Sequence, residues 1–241
     1  MTEKKEAVFS GILKILVMAM VFCVALLAAN KEPKESASEK VAKKENWPVV
    51  VLDAGHGGND PGKVGINGAL EKEVNLQIAS ILQKFLEAND IQVVMTRTED
   101  AGLYDEDASN KKVQDMKRRI ALIEEANPLL VVSIHQNSYQ EEYAKGAQVF
   151  YYTGSTEGQA LADKIQTRLI QDVDPQNHRQ IKANDSYYLL KKTGKPIVIV
   201  ECGFLSNSEE AKKLVTPLYQ EKMAWAIHLG IIQYINETEK E

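Results

Sequence analysis

Three apolar runs of the sequence lead into side chains that could bind a metal or transfer a proton. The first leads into Asp53 and His56, the second into His135 and the third into Glu201, while Glu71 opens a helical segment. Two histidines and a carboxylate are a common ligand set for catalytic zinc, which keeps its fourth position for water. A further carboxylate that is not a ligand can move the proton. The pattern therefore predicts a zinc site with a proton-transferring acid beside it.

Each of these residues also has a simpler interpretation. His56 stands between glycines and could be an exposed turn residue, and His135 could be a core histidine that donates to a backbone carbonyl. Glu71 could be an acid favoured by the dipole at a helix N-terminus. Glu201 is harder to dismiss because it continues a β-branched run, and an unpaired buried charge needs a cation or a raised pKa.

A phosphate-binding loop is the competing motif. Residues Gly57–Lys63 match its Gly-x-x-x-x-Gly-Lys portion, but the next residue is Val64, where the loop needs a hydroxyl. The glycines and asparagine at 65–68 also prevent a helix from starting there, so no helix N-terminus would face the phosphates. These departures argue against a nucleotide-binding loop.

The elements that must position the reactive residues alternate between short β-branched runs and longer amphipathic segments. The strands expected are Val49–Leu52, Ile91–Thr96, Leu129–Ile134, Gln148–Tyr152 and Ile197–Val200, and the helices are Glu71–Asn89, Val113–Asn127, Thr156–Val173 and Pro217–Ile235. This alternation predicts a single α/β domain, a three-layer sandwich with a largely parallel sheet between helices. In such folds ligands gather beyond the carboxyl ends of the strands.

The composition excludes several classes of protein. The chain has 241 residues, of which 44% are apolar, and a net charge of −5, which are ordinary values for a globular domain and argue against nucleic-acid binding. Its two cysteines, Cys23 and Cys202, cannot form a disulfide framework. Because successive strand residues point to opposite faces, Cys202 should pack in the core and not join Glu201.

The chain divides into four segments. Residues 1–29 carry an apolar stretch typical of a signal peptide or membrane anchor, so we expect export and membrane contact through this segment. Residues 30–46 are rich in Lys and Glu and predict a flexible charged linker. The catalytic domain is expected over 47–236, and a polar tail over 237–241.

The string VLDAGHGGNDPG at residues 51–62 resembles the opening motif of zinc-dependent N-acetylmuramoyl-L-alanine amidases, which are bacterial cell-wall enzymes. Four further strings continue the resemblance in order: LEKEVNL at 70–76, TRTED at 96–100, SIHQNS at 133–138 and VECGFLSN at 200–207. The resemblance covers Pro48–Asn236. Ala54 departs from it, since the family usually has proline there, and this removes no chemistry.

The resemblance implies that His56, Glu71 and His135 hold one Zn²⁺ per chain and that Glu201 is the catalytic glutamate. Glu73 is a rival ligand to Glu71, but two residues along a helix differ by about 200° in direction, so only one can face the metal. The implied reaction is hydrolysis of the amide bond between N-acetylmuramic acid and L-alanine in peptidoglycan.

Among these amidases, the sequence is most similar to the germination-specific, spore-cortex branch. This similarity implies removal of stem peptides during spore formation, after which a partner deacetylase allows muramic-δ-lactam to form. It implies action outside the cytoplasmic membrane, in a spore former between the two forespore membranes. An accessory protein that completes the metal site is a further expectation.

Three residues have weaker expectations. Arg179 and Lys182 would pair with carboxylates of the stem peptide, or belong to a solvated surface. Asp53 would orient a ligand histidine, or cap a turn. Two other functions remain open on the sequence: a peptidoglycan-binding or regulatory module without catalysis, and a zinc peptidase or deacetylase that acts on the same polymer.

Overall fold

A computed structural model describes residues 47–238. The predicted signal or anchor segment (1–29), the linker (30–46) and the last residues of the tail (239–241) lie outside the described residues. Within residues 47–238 no helix has the length and apolar character needed to cross a membrane.

Six strands form one sheet in the order β2-β1-β3-β6-β4-β5. Their bounds are β1 Val49–Ala54, β2 Gln92–Met95, β3 Leu130–Asn137, β4 Gln148–Tyr152, β5 Lys182–Asn184 and β6 Ile197–Phe204. All neighbouring strands are parallel except β4 and β6, which are antiparallel. The carboxyl ends of β1, β3 and β6 therefore meet at one edge of the sheet.

Helices cover both faces of this sheet. They are α1 Glu71–Glu87, α2 Lys111–Ala126, α3 Thr156–Arg168, α4 Tyr188–Lys192, α5 Ser208–Leu214 and α6 Pro217–Thr238. Helices α1, α3, α5 and α6 pack on one face through the larger hydrophobic layer, and α2 and α4 pack on the other through a smaller layer. The predicted three-layer α/β sandwich with a largely parallel sheet is confirmed.

Side chains of the central strands alternate between these two layers. On β1, Val50 belongs to the larger layer and Val51 to the smaller one. Because successive strand residues point to opposite faces, Asp53 shares the α2 face with Val51. On β6 the same alternation places Glu201 on the α2 face and buries Cys202 in the larger layer, as the sequence predicts.

The strands that carry His135 and Glu201 are longer than expected. The sequence predicts that both residues follow their strands, and this is wrong because β3 continues to Asn137 and β6 to Phe204. The two strands remain paired beyond their apolar runs, with His135 opposite Glu201 and, after an irregularity, Asn137 opposite Phe204. Backbone pairing, which hydropathy does not report, sets where these strands end.

The elements differ from expectation in three further ways. The predicted helix to Val173 ends at Arg168, and the residues Leu169–Val173 form a π-helical turn. The last helix continues to Thr238, two residues into the segment expected to be a tail. Three elements of three to seven residues, β5, α4 and α5, have no counterpart in the prediction because they are too short to show a hydrophobic period.

A buried carboxylate lies beneath the end of β1. Asp53 accepts hydrogen bonds from Arg119 Nη1 on α2 (2.6 Å), Thr96 Oγ1 (2.8 Å) and Ser133 Oγ (2.5 Å). Burial by itself raises the pKa of Asp53, but the charge of Arg119 and the hydrogen bond from Ser133 outweigh it and lower the pKa to about 2. Asp53 is therefore an anion that joins β1, β3, α2 and the residues after β2.

Two arginines hold the backbone that follows β1. Arg119 donates to the carbonyl oxygens of Ala54 (2.9 Å) and His56 (2.7 Å). Arg97 donates to the carbonyl oxygens of Ala54 (2.9 Å) and Gly55 (3.1 Å). A buried carbonyl without a donor costs about 1–3 kcal/mol, so these guanidinium groups stabilise the irregular path of this loop.

We expect Arg119→Met to lower the free energy of unfolding by about 3–5 kcal/mol, because it leaves the buried Asp53 carboxylate without its cation. The neighbouring Arg118 is the matched control, since its partner Asp105 lies on the surface. Arg118→Met should change stability little. Urea unfolding of the full-length variants, followed by circular dichroism, measures both. Equal losses in the two variants would contradict a special role for the buried pair.

Candidate metal centre

Three side chains from different elements converge above the carboxyl edge of the sheet. They are His56 in the loop after β1, Glu71 at the first position of α1 and His135 on β3. One ligand atom from each lies within 4.8 Å of the other two. Glu71 Oε1 is 3.2 Å from His56 Nε2 and 3.0 Å from His135 Nδ1, so both rings point at the same carboxylate oxygen.

Glu71 is a buried anion held by backbone donors. Its Oε2 accepts from Lys63 N (2.7 Å) and its Oε1 from Gln136 N (3.1 Å). Burial raises the pKa of Glu71, but the hydrogen bonds and charges of His135 and His56 outweigh burial and hold the pKa well below its usual range. The positive end of the α1 dipole favours the same charge. Glu71 is therefore ionised at any physiological pH.

The backbone of His56 has the left-handed conformation, with a φ of 64°. Few residues with side chains adopt it, and such strain is typical of sites where a side chain must be aimed. A tight turn closes the loop, since Gly57 N donates to Asp60 O and Asp60 N donates to Gly57 O. This turn brings Asp60 Oδ2 within 3.0 Å of His56 Nδ1 and leaves Nε2 facing Glu71.

Asp60 and Glu71 together favour the protonated form of His56 when no metal is bound. Burial lowers the pKa of His56, but the hydrogen bonds and charges of Glu71 and Asp60 outweigh burial and raise the pKa to about 9. His56 would have to lose this proton to hold a metal, and the hydrogen bond between Nδ1 and Asp60 fixes the ring orientation, as is typical of metal-binding histidines.

Two glycines make room for the centre. A Cβ on Gly55 would overlap the imidazole of His135. Gly62 has a φ of 65°, and a Cβ there would lie 2.6 Å from both Glu71 Oε2 and His56 Cδ2. Glycine is needed at both positions because the backbone passes directly against these three side chains.

Glu201 lies beside His135, and within residues 47–238 only part of its carboxylate has a polar neighbour. The two residues are opposite each other on paired strands, so their side chains share a face. Glu201 is 7% exposed, and no group within residues 47–238 hydrogen-bonds to its buried Oε2. Burial raises the pKa of Glu201 to about 7, with His135 opposing the rise and Glu71 adding to it. A carboxyl with this pKa can both accept and release a proton near neutral pH.

Tyr187 is the neighbour of Glu201 that the sequence analysis missed. Its side chain lies close enough to the Glu201 carboxylate for each group to shift the pKa of the other, and its ring packs edge-on against Phe150 at 5.5 Å between centroids. Burial and the charge of Glu201 raise the pKa of Tyr187 to about 12, so the hydroxyl stays protonated and can donate. No spacing or hydropathy signal distinguishes it from the adjacent Tyr188.

The centre opens into a cleft of about 390 Å³ on the α2 side of the sheet. His56, His135, Glu201 and Tyr187 line it. The structure thus brings together the four residues to which the sequence assigns metal binding and proton transfer, His56, Glu71, His135 and Glu201. Glu73, the rival ligand, is exposed on the other side of α1.

Of the three residues with weaker expectations, Asp53 lines the cleft and the other two do not. Arg179 and Lys182 line a second cavity beside the cleft. Asp53 has Arg119, Thr96 and Ser133 as its partners, and among residues 47–238 no hydrogen bond joins it to an imidazole. Asp53 therefore supports the loop that carries His56 through Arg119, and does not orient a histidine ring directly.

The residues that sequence reasoning missed are Asp60, Arg119 and Tyr187. Asp60 carries a weak signal, since it lies four residues from His56 in a glycine-rich loop. Arg119 follows Lys117 and Arg118, so it looks like part of a solvated helix face although it is 2% exposed. For Tyr187 there is no signal, because its contact with Glu201 depends on how α4 packs on the sheet.

The donor set fits a zinc ion. Two imidazole nitrogens and one carboxylate oxygen are the ligand types of catalytic zinc sites, and Glu201 stands close by without belonging to the set.

Comparison with known proteins identifies relatives of the whole described domain. A family model described as N-acetylmuramoyl-L-alanine amidase matches residues 50–233. The germination-specific N-acetylmuramoyl-L-alanine amidase of Bacillus subtilis is 37% identical over 192 residues, which is 78% of this chain and 80% of that protein.

Solved structures agree with this match. The CwlD amidase of Clostridioides difficile, solved in complex with the GerS lipoprotein, superposes with a TM-score of 0.77 at 39% identity, covering 78% of this chain and 98% of that one. The amidase AmiC2 of Nostoc punctiforme superposes with a TM-score of 0.70 at 33% identity, covering 78% and 97%.

We expect Gly55→Ala to weaken zinc binding at least tenfold, because the added methyl group displaces the imidazole of His135. Gly194→Ala is the matched control, since a Cβ at Gly194 meets nothing within 4 Å. Zinc affinity is measured by competition with a chromophoric chelator, on folded protein checked by circular dichroism. Unchanged affinity in the Gly55 variant would show that His135 is not a ligand in its present position.

Proposed function

This chain belongs to the N-acetylmuramoyl-L-alanine amidase family, and we propose that it hydrolyses peptidoglycan with a zinc ion held by His56, Glu71 and His135. The reaction of the family cleaves the amide bond between the lactyl group of N-acetylmuramic acid and the L-alanine of the stem peptide. The observation that carries the proposal is the convergence of three ligand atoms within 4.8 Å beside a buried carboxyl group.

The charge and orientation of the three ligand residues suit a divalent cation. Glu71 contributes a permanent negative charge, because two histidines and two backbone N–H groups stabilise its ionised form. Asp60 holds the ring of His56, and Gly55 allows His135 to lie against the backbone of the first loop. When bound, zinc supplies Lewis acidity, which polarises the scissile carbonyl group and makes a water molecule more acidic.

Glu201 is the residue that transfers the proton. Its carboxylate accepts a proton from the attacking water as the water oxygen bonds to the lactyl carbonyl carbon. The same carboxyl group then delivers this proton to the alanine nitrogen as the C–N bond breaks, because an amide nitrogen leaves readily only when protonated. Tyr187 lines the same cleft and lowers the pKa of Glu201, which favours the ionised carboxylate that accepts the proton.

We expect the full-length chain, supplied with zinc, to release free stem peptides and leave peptide-free muramic acid in peptidoglycan. Glu201→Gln should lower this rate by about 10²- to 10⁴-fold, because the amide cannot accept and return the proton. The products are identified by mass spectrometry after muramidase digestion. Zinc content, measured in parallel, should not change because Glu201 is outside the ligand set.

Glu209→Gln is the matched control, since Glu209 is an exposed residue of α5. It should retain the wild-type rate. If the Glu201 variant is as active as wild type, the assignment of Glu201 is wrong. If wild type binds zinc and releases nothing from the polymer, a binding or regulatory module is the better description. Cleavage within free stem peptides would instead identify a peptidase.

The spore cortex is the substrate that we propose in the cell. Support comes from the B. subtilis relative, which is a germination-specific amidase, and from the expected export through residues 1–29. Acting outside the membrane, this chain would strip stem peptides from muramic acid, and a deacetylase would then allow muramic-δ-lactam to form. The complex of the C. difficile relative with a lipoprotein supports an accessory protein partner here as well.

We expect the full-length gene to restore muramic-δ-lactam to the cortex of a B. subtilis strain that lacks its own germination-specific amidase. The Glu201→Gln form should not restore it, because no peptide is removed from muramic acid. Chromatography of muramidase-digested cortex measures the lactam. Stem-peptide removal from vegetative wall with no lactam in the cortex would assign the chain to another branch of the family.

A further inference from the structure

A second cavity, of about 730 Å³, lies next to the metal-site cleft. Tyr187 lines both, so its ring forms the wall between them. Positive charge is concentrated here, because Lys145, Arg179 and Lys182 line the cavity and Asp174 is the one acidic residue that does so among residues 47–238. This local excess is opposite in sign to the net charge of −5 of the chain.

Arg179 is held in a fixed position without being neutralised. Its Nε donates to Lys145 O (2.7 Å) and its Nη1 to Gln148 Oε1 (3.2 Å). The guanidinium group stacks over the ring of Phe204 at 4.5 Å from the centroid. Within residues 47–238 Arg179 makes no ion pair, and its Nη2 has no hydrogen-bond partner. A guanidinium with free donors in a fixed plane is suited to a carboxylate.

The backbone beneath Arg179 is fixed as well. Asn177 Nδ2 donates to Ala147 O (2.8 Å), and Asn177 Oδ1 accepts from Arg179 N (3.0 Å). Gly146 has a φ of 95°, and a Cβ there would lie 2.5 Å from Asn177 Oδ1. The arginine therefore needs no reordering when a ligand arrives, which reduces the entropic cost of binding.

Lys182 supplies a second cation from β5. Its Nζ lies 5.9 Å from the centroid of the Phe150 ring, and within residues 47–238 it has no ion-pair partner. Asp174 does not neutralise either cation, since no ion pair joins it to them and its Oδ1 accepts from Gln176 N (3.0 Å). Two cations are thus available to an anionic ligand.

The position of this cavity relative to Glu201 decides which part of the substrate enters it. Gln148, which holds Arg179, lies opposite Glu201 on the paired strand β4. If Glu201 protonates the departing alanine nitrogen, the peptide that starts at this nitrogen must leave from the Glu201 side of the centre. The second cavity lies on that side, beyond Tyr187.

We propose that this cavity is the stem-peptide subsite, in which Arg179 and Lys182 bind the free carboxylates of the peptide that follows L-alanine. The proposal rests on the amidase function proposed above, because that function sets which side of the bond the peptide occupies. The chemistry of the substrate agrees with it, since the N-acetylated sugar rings are uncharged and the stem peptide carries several carboxylates. A glycan strand would gain little from two unneutralised cations.

The test measures binding of the free stem tripeptide, L-alanyl-γ-D-glutamyl-diaminopimelic acid, to the full-length chain by NMR titration. We expect the same peptide with its carboxylates converted to amides to bind at least tenfold more weakly, because charge-assisted hydrogen bonds are lost. Arg179→Gln and Lys182→Gln should each weaken binding of the native peptide about five- to tenfold, and raised salt should weaken it too.

Lys84→Gln is the matched control, since it removes one exposed cation from the end of α1, and it should leave the affinity unchanged. Lys182 is exposed on β5, so its variant should fold even if loss of Arg179 disturbs the loop. Equal affinity for native and amidated peptide, or unchanged affinity in both cavity variants, would overturn the proposal.

The experiments distinguish a failure of the proposed amidase function from a failure of the proposed peptide subsite. If the peptide binds as expected and the zinc-loaded chain releases nothing from peptidoglycan, the peptide-binding cavity is supported and the amidase function is wrong. A second substrate is peptidoglycan whose stem-peptide carboxylates have been converted to amides. If the chain releases peptides from this polymer as fast as from native peptidoglycan, the amidase function is supported and the carboxylate subsite is wrong.

Discussion

The buried pair of Asp53 and Arg119 fixes the loop after β1, and the geometry of the metal centre depends on that loop. A buried charge that loses its partner costs several kcal/mol, so the loop cannot shift without uncovering one. Arg119 satisfies Asp53 and the carbonyl oxygens of Ala54 and His56 at the same time. Its contact with the carbonyl oxygen of His56 supports a residue whose backbone has the uncommon left-handed conformation.

The sheet supplies a second constraint, because it places three residues of the candidate site and its neighbouring cavity in one row. His135, Glu201 and Gln148 lie opposite one another on β3, β6 and β4, and their side chains share a face. Neighbouring strands are about 4.8 Å apart, so the spacing between these three residues is set by backbone hydrogen bonds. Sites on strands hold such spacings better than sites on loops.

Two carboxyl groups near each other have opposite protonation behaviour, and the surroundings of each explain the difference. Glu71 faces two histidines and two backbone donors, which keep its pKa low. Burial raises the pKa of Glu201 to about 7, and within residues 47–238 one of its oxygens has no hydrogen-bond partner. One carboxylate can therefore remain an anion that binds a cation, while the other exchanges protons, a division of roles common in hydrolytic sites.

The sequence alone predicted the layered α/β fold and the four residues that the structure brings together, because hydrophobic period and motif spacing are local properties of the chain. It did not determine where β3 and β6 end, since continued strand pairing needs no apolar residue. The sequence also did not distinguish Arg119 from the neighbouring Arg118. Arg119 is buried and Arg118 lies on the surface because the sheet packs against only one side of α2. The partners of Asp53 and Tyr187 likewise depend on packing. Those partners lie on elements distant in sequence, so only the tertiary packing could decide them.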